Sequence, residues 1–462
     1  MKIGLEVHVQ LRTNTKLFCG CSSNWQGLEP NTNCCDTCLG FPGTKPRLNE
    51  KAIEYGIKIA LALNCKFPER MFFSRKSYFY PDMSKNFQIT QYEIPIAKDG
   101  FLKVGGKKIH INRINLEEDP ARLVHPEGIA GSEYVLVDYN RSGIPLCEIV
   151  TAPDFETPRE ARIFLQQLSS ILEYLGVFDP SMEASMRIDS NISIMDVRVE
   201  VKNITGFKDV EKAMNYEIVR QKNQVRRGKE ILHETRAWDA AAGVTRSLRV
   251  KETEEDYGYI FEPDLTVQNL HEEKISAIKT LLPELASEKV KRYMETLGVH
   301  KEIAESIADD PEIAKLFERV IEKINPKLAA SWFADKIKKT LNYNNMRLRE
   351  SHLNFENIVK LLKLLEDGKI TEKVAEGILR EMVVKPKDPE ELIESCGLVR
   401  IDNEKELSDV VDSVLDKNPK AVLDFKSGIK ESFNFLVGQA LAATRGRGDP
   451  NKIREILKKK LE

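Results

Sequence analysis

The chain has 462 residues, 41% of them hydrophobic and 31% charged, with a formal net charge of −2 at neutral pH. Such a composition belongs to a globular protein with room for two or three cored domains, and it excludes disordered and fibrous classes. It contains no run of about 18 apolar residues that would mark a transmembrane helix, and its near-neutral charge leaves any nucleic-acid contact to local basic patches.

The first predicted element starts at once. Ile3, Leu5, Val7, Val9 and Leu11 alternate with Gly4, Glu6, His8 and Gln10, the period-two pattern of a strand with one buried face. A strand in this place fits no signal peptide. Same-face neighbours on a strand stand about 7 Å apart, so Glu6 and His8 project side by side and could share an ion or a phosphate through a bridging group. A solvated polar face is the competing reading. Next come Cys19, Cys21, Cys34, Cys35 and Cys38. In an intracellular chain of this size such crowding points to metal rather than to a disulfide framework. Cys19-x-Cys21 and Cys35-x-x-Cys38 offer two tight thiolate pairs, which suit a tetrahedral structural zinc. Spacing alone also admits Cys34 in place of Cys35, and reduced, metal-free cysteines are the alternative. Cys65, Cys147 and Cys396 stand apart and read as packing residues.

Asn49 caps a predicted helix running to Leu63, with Ala52, Tyr55, Ile59 and Leu63 at helical spacing. Strands and turns follow from Phe72. Ile109 and Ile111 open an alternating segment that ends in Glu117, Glu118 and Asp119. Residues 134–138 and 144–150, separated by Asn140 to Gly143, predict a β-hairpin. Thr157-Pro158-Arg159-Glu160 is a capping box that opens a helix ended by Gly176. Two more strands carry Met186 to Ile194 and Val197 to Lys202. Beyond about Asp264 the pattern turns helical, with a linker candidate at Val384 to Pro389. The expected class is α+β: a mixed-sheet domain over residues 1–268, a helical domain over 269–385 and a small helical tail over 386–462.

Chemistry concentrates on the strands. Glu148 shares a face with Leu146 and Val150, and a carboxylate between apolar neighbours needs a partner. Carboxylates and an imidazole converging from Glu6/His8, Glu117–Asp119 and Glu148 would suit a divalent ion that also holds nucleotide phosphates; for Glu117 or Asp119 alone a salt bridge or solvated edge is the better reading, and for Glu148 the two readings balance. Gly100 to Lys107 resembles a P-loop, but its glycines fit a hairpin turn better. Any ATP site would therefore be built on a sheet surface. In the last 24 residues, seven basic side chains face three acids. Arg445-Gly446-Arg447-Gly448 reads as a flexible turn, and Asp449 and Pro450 start a short helix after it; Arg445 and Arg447 on the turn and Lys452 and Arg454 on the helix face either solvent or an RNA backbone.

Several of these stretches together resemble one family. Ile3-Gly4-Leu5-Glu6-Val7-His8-Val9-Gln10-Leu11, Lys76-Ser77-Tyr78-Phe79-Tyr80-Pro81-Asp82, Leu116-Glu117-Glu118-Asp119, Asp138 to Leu146, Glu148-Ile149-Val150, Glu255-Asp256-Tyr257, Glu262-Pro263-Asp264 and Phe435 to Gln439 are similar to the GatB family, the B subunits of the tRNA-dependent amidotransferases. The resemblance implies a first domain of the glutamine synthetase and guanido kinase fold in a cytoplasmic enzyme without membrane contact. It implies two partners, the amidase (glutaminase) and the small third component of the same amidotransferase, and a misacylated Glu-tRNA(Gln) or Asp-tRNA(Asn) as substrate. ATP and magnesium would phosphorylate the side-chain carboxylate, and ammonia from the amidase would displace the phosphate. Carried over by position, His8, Glu118 and Glu148 become magnesium ligands, and Glu6, Lys76, Tyr78 and Glu117 their catalytic neighbours. Cys35 rather than Cys34 joins Cys19, Cys21 and Cys38 on zinc. The segment Met182 to Arg187 is a residue shorter than the family's and lacks its glycine, which leaves the roles of Arg187 and Asp189 open. An ATP-dependent ligase of a free amino acid and a zinc-stapled RNA-binding scaffold are the competing functions; a basic tail argues against the former, and the retained acids and His8 against the latter.

Overall fold

The structure, a computed structural model, describes every residue except 129–131, 183, 196, 251–257, 402 and 462, and does not describe the side chains of 203, 249 and 250. The Glu255-Asp256-Tyr257 motif and Glu183 therefore lie outside the described residues. The chain divides into two compact units, Met1–Leu285 and Ala286–Glu462. Among the described residues no helix is long and apolar enough to cross a membrane.

The strands of the first unit are β1 (Lys2–Gln10), β2 (Arg70–Met71), β3 (Ser74–Ser77), β4 (Phe87–Thr90), β5 (Ala97–Val104), β6 (Lys107–Glu118), β7 (Arg122–Val124), β8 (Leu136–Asp138), β9 (Pro145–Thr151), β10 (Met186–Ser193), β11 (Val199–Ile204), β12 (Glu234–Asp239), β13 (Val244–Val250), β14 (Gly258–Phe261) and β15 (Gln268–Asn269). Eight of them form a mixed sheet in the order β13-β12-β11-β10-β1-β9-β6-β5, with β11 and β12 parallel and the other neighbours antiparallel. The strand at the chain's start thus sits in the interior of the sheet. Ile3, Leu5, Val7 and Val9 are buried on the face covered by α2 (Glu50–Ala62), α3 (Pro158–Tyr174) and α4 (Phe207–Arg226). Because side chains alternate, the opposite face receives Glu6 and His8. The sheet is apolar toward its helices and polar away from them.

Local chemistry explains the element ends. The Asn49 side chain accepts hydrogen bonds from the Lys51 and Ala52 N–H groups at the start of α2. Thr157 accepts from the Glu160 N–H at 3.2 Å, while the Glu160 carboxylate accepts from the Glu156 N–H at 2.9 Å. Caps of this kind are worth about 1 kcal/mol each. Gly105 and Gly106 carry φ of 57° and 89° in the turn joining β5 to β6, where only glycine adopts such values freely.

The expected hairpin of 134–138 with 144–150 does not form. β8 pairs with β7, whereas β9 is hydrogen-bonded on both edges, to β1 and to β6. The nearly unbroken apolar run from Ile144 to Val150 is that of a strand buried between neighbours, and the polar residues 138–142 are used elsewhere, on the cysteine loop.

In the second unit, helices α6 (Ala286–Leu297) to α13 (Pro389–Cys396) surround buried Tyr293, Phe317 and Phe333. The 385–388 segment before α13 is held by Lys360 on Asp388 at 2.5 Å and by the Asn357 amide on the Lys387 carbonyl at 3.0 Å. A separate apolar cluster, from Ile401 to Leu461, joins α14 (Glu404–Lys417), α16 (Glu431–Ala443) and α17 (Pro450–Leu461). Asp449 caps α17 through the Asn451 and Lys452 N–H groups, and Ile453, Ile456 and Leu457 are buried as their spacing predicts.

Candidate active site

Three central strands build the site. His8 on β1 faces Glu148 on β9, and Glu148 faces Asn115 on β6. Two residues further along β6, on the same face, stands Glu117. The imidazole Nε2 lies 3.5 Å from Glu117 Oε1 and 3.8 Å from Glu148 Oε1. Thr90 donates to Glu117 at 3.1 Å, and the Asn115 amide donates to Glu148 at 2.6 Å. Burial, then the charge of Glu148, raises the Glu117 carboxyl above the usual range, against His8 and Lys76. Burial also pushes Glu148 upward, but His8, Arg113, Lys76 and the Asn115 amide outweigh it and hold that carboxyl low. The pair therefore ionises unequally, with Glu148 the more acidic.

The expected ligand Glu118 is not part of this group. Alternation along β6 turns it to the other face, where it accepts hydrogen bonds from the Lys85 ammonium and, at 2.9 Å, from the Ile89 N–H. The cluster that converges is His8, Glu117 and Glu148. Glu118 instead ties β6 to the segment carrying Lys85, whose side chain packs so closely on Gly40 that a Cβ there would collide with it.

Glu6 lies one step along β1 in a second acidic group, its carboxylate oxygen within 4.8 Å of those of Asp189 and Glu200. Asn191 donates to it at 2.8 Å, and burial, then Glu148 and Glu200, raises its carboxyl. Lys202 is threaded through this group, 3.0 Å from Asp189 and 3.3 Å from Glu200. Arg187 stands opposite His8 in the β1–β10 register and is gripped by both oxygens of Asp119, at 2.8 and 3.2 Å. Lys76 on β3 bears on both Glu117 and Glu148, with its Nζ 5.6 Å from the Tyr78 ring centre. The buried Glu262 carboxylate takes the Arg75 guanidinium through two 2.8 Å bonds, fixing the β3–β14 pair that carries Lys76.

Arg113, Asn115 and Lys202, which the sequence does not mark as site residues, share the face of Glu117 or Glu6. The period-two rule applied backward from Glu117 reaches Asn115 and Arg113 directly.

The cysteine loop lies beside this sheet. Cys19, Cys21, Cys35 and Cys38 bring their sulfurs all within 4.8 Å of one another, close to the spacing of about 3.8 Å that tetrahedral bonds of about 2.3 Å require. Cys34 turns away, with its sulfur 3.8 Å from Asn140 Oδ1, which resolves the choice left open by spacing. A hydrogen bond from Cys19, reinforced by the Cys35 N–H and Lys16, holds the Cys38 thiol down at about 4 against its burial. The residues that failed to make a hairpin turn hold this loop: Asn140 accepts from the Asn33 N–H at 2.7 Å and donates to the Glu29 carbonyl at 2.8 Å, and Asp138 accepts from the Asn31 N–H at 3.0 Å.

In the tail, Arg445 and Arg454 are exposed. Arg447 is engaged with the chain itself, donating to the carbonyls of Thr444 at 3.2 Å and Gly397 at 3.0 Å. Lys452 lies in the first turn of α17, half-buried.

Residues 1–276 match the GatB/GatE catalytic domain and residues 315–461 the GatB domain. The aspartyl/glutamyl-tRNA(Asn/Gln) amidotransferase B subunit of Carboxydothermus hydrogenoformans is 44% identical over 99% of this chain and 98% of its own length. The chain belongs to the GatB family. The B subunits of Saccharolobus solfataricus (45% identity, 100% of this chain and 99% of the relative) and Thermotoga maritima (43%, 100% and 98%) agree.

Proposed function

We propose that this chain is the activating subunit of a tRNA-dependent amidotransferase. In this reading it uses ATP to phosphorylate the side-chain carboxylate of Glu-tRNA(Gln) or Asp-tRNA(Asn), and ammonia delivered by a glutaminase subunit displaces the phosphate. One observation carries it: an imidazole and two carboxylates meet on a sheet face that also bears Arg113, Arg187 and Lys202, with Lys76 of the neighbouring β3 acting on both acids. Phosphoryl transfer depends on positioning and charge neutralisation, and this face supplies both signs of charge at fixed strand positions.

The donor chemistry, two carboxylates and an imidazole, suits a divalent cation. Glu117 and Glu148 each lie within 4 Å of His8, and Asn115, buried beside Glu148, has its side-chain oxygen without a hydrogen-bond partner. His8, Glu117 and Glu148 would hold magnesium there, and the ion would supply charge neutralisation for phosphate. The chain's own residues do the rest. Lys76 and Arg113 meet the phosphates from the β3 and β6 sides, and Arg187, kept in place by Asp119, faces them from β10. Glu6 and the Lys202 group orient the acceptor end. Cys19, Cys21, Cys35 and Cys38 would hold a structural zinc, whose four thiolate ligands would leave it the task of fixing the loop. The fold of the first unit is proposed to be of the glutamine synthetase and guanido kinase type, supported by the mixed sheet with acids on its open face. The tail is proposed to grip tRNA backbone, supported by exposed Arg445 and Arg454; a cavity of about 510 Å³ in the same unit, with Lys339, Arg380 and exposed Tyr343 on its lining, adds cations and an aromatic ring suited to RNA.

The test is ATP hydrolysis by the assembled enzyme. Misacylated tRNA should stimulate it and free glutamate should not; equal stimulation by free glutamate would contradict the reading.

A further inference from the structure

A nucleotide whose phosphates lie on the acid cluster must place its base somewhere, and a stacked pair of tyrosines lies on the strands beside it. Tyr259 on β14 is the register partner of Lys76 on β3. Tyr92, just beyond β4, stacks on Tyr259 with ring centres 3.9 Å apart and planes 12° from parallel. Flat stacking of this kind uses one face of each ring, and Tyr92 remains 40% exposed. The platform is rigid at its base, because β3 is hydrogen-bonded to both β4 and β14 and Glu262 locks Arg75 of β3 from below. Thr90, two residues before Tyr92, donates to Glu117 at 3.1 Å, which ties the platform's strand to the acid cluster. Burial, followed by Glu148, Tyr92 and Glu117, raises the Tyr259 hydroxyl, while Arg113 opposes them. Both acids and Arg113 are therefore within electrostatic reach of the ring. The acids Glu117 and Glu148, the cations Lys76 and Arg113 and the rings of Tyr259 and Tyr92 are thus gathered on neighbouring strands. These are the groups that a terminal phosphate, the inner phosphates and a base would need.

We propose that Tyr92, backed by Tyr259, is the stacking platform for the base of ATP, with Lys76 and Arg113 beneath its inner phosphates. The inference rests on the reading of the acid cluster as a nucleotide-phosphate site. Base stacking on an aromatic side chain contributes substantially and tolerates any flat ring, so Tyr92→Phe and Tyr92→Trp should preserve it.

The experiment is equilibrium titration of the assembled enzyme, without tRNA, by magnesium-ATP and separately by magnesium-inorganic triphosphate. Tyr92→Ala should weaken ATP binding by about tenfold or more and leave triphosphate binding unchanged, with Tyr92→Phe behaving as wild type in both. The unchanged triphosphate arm also reports that the variant is folded. Wild-type ATP affinity in Tyr92→Ala would overturn the platform, as would equal losses for ATP and triphosphate. Failure of the wild-type enzyme to bind either ATP or triphosphate would refute the phosphate site itself, and the platform with it.

Discussion

His8 and Glu148 are cross-strand partners in the β1–β9 register, with imidazole Nε2 3.8 Å from a carboxylate oxygen. Their strands are neighbours in the interior of the sheet, so the pair is positioned by backbone hydrogen bonds along both strands rather than by a loop. Glu117 joins it from β6, and the three together separate two roles that adjacent glutamates on β6 perform.

Glu117→Gln and Glu148→Gln should each lower amidation by more than the roughly 10–100-fold typical of losing an outer partner of a metal site, while glutamine hydrolysis by the glutaminase continues. Manganese binding followed by electron paramagnetic resonance should weaken in both. Glu118→Gln should differ: it leaves the buried Lys85 ammonium without its counter-charge, a loss on the order of 3–5 kcal/mol, so its main signature is a lower melting temperature. Full manganese affinity in Glu117→Gln with loss in Glu118→Gln would reverse the assignment.

The site was legible in part. The alternation from Ile3 to Leu11 reads directly as a strand with Glu6 and His8 on one face, and Asn49 and Thr157 announce the helices they cap. What the sequence withholds is which strand lies beside which. β9 follows a turn rich in Asn, Ser and Gly, a hairpin signal by local rules, but its pairing with β1 and β6 is decided by the burial of both its faces. The choice between Glu117 and Glu118 depends on the phase of β6, and a register shift between Ile111 and Arg113 breaks the count begun at Ile109. Tyr92 and Tyr259 meet only because β3 lies between β4 and β14.

Purified protein should carry about one zinc per chain. Cys35→Ser and Cys38→Ser should lose it and expose the loop to proteolysis, whereas Cys34→Ser, whose sulfur faces Asn140, should retain it. Metal analysis of the three variants checks this; zinc loss in Cys34→Ser with retention in Cys35→Ser would contradict the sulfur geometry.

Asp82 provides a pH test. Burial first, with Asp119 adding to it and Arg141 and Arg187 opposing, raises its carboxyl to about 6, and one of its oxygens has no hydrogen-bond partner. Below the ordinary aspartate value both folded and unfolded states are protonated and the group costs nothing. Stability is lost as pH rises toward 6, where the folded state resists ionisation, and the penalty is complete above it. Asp82→Asn should therefore raise the melting temperature at pH 7.5 and have little effect at pH 4. A gain that is equal at both values would contradict the shift.

Replacing the exposed Arg445 and Arg454 together by Glu should weaken tRNA binding and reduce the slope of log affinity against log salt by about two units, one for each phosphate contact. Arg447→Glu should act differently, by lowering the stability of the turn it ties to Gly397. An unchanged salt slope in the double variant would make the tail a structural element only.

Everything proposed for the sheet face depends on its activating a carboxylate by transferring a phosphoryl group to it. Glu-tRNA(Gln) carrying ¹⁸O in both side-chain carboxylate oxygens, amidated by the assembled enzyme with ATP and glutamine, tests this directly. If the carboxylate attacks the terminal phosphorus of ATP and ammonia then displaces phosphate, one labelled oxygen leaves with each phosphate released. The expected result is one ¹⁸O in the inorganic phosphate for each amide formed, abolished together with amidation in Glu148→Gln. Amide formation with unlabelled phosphate would contradict it.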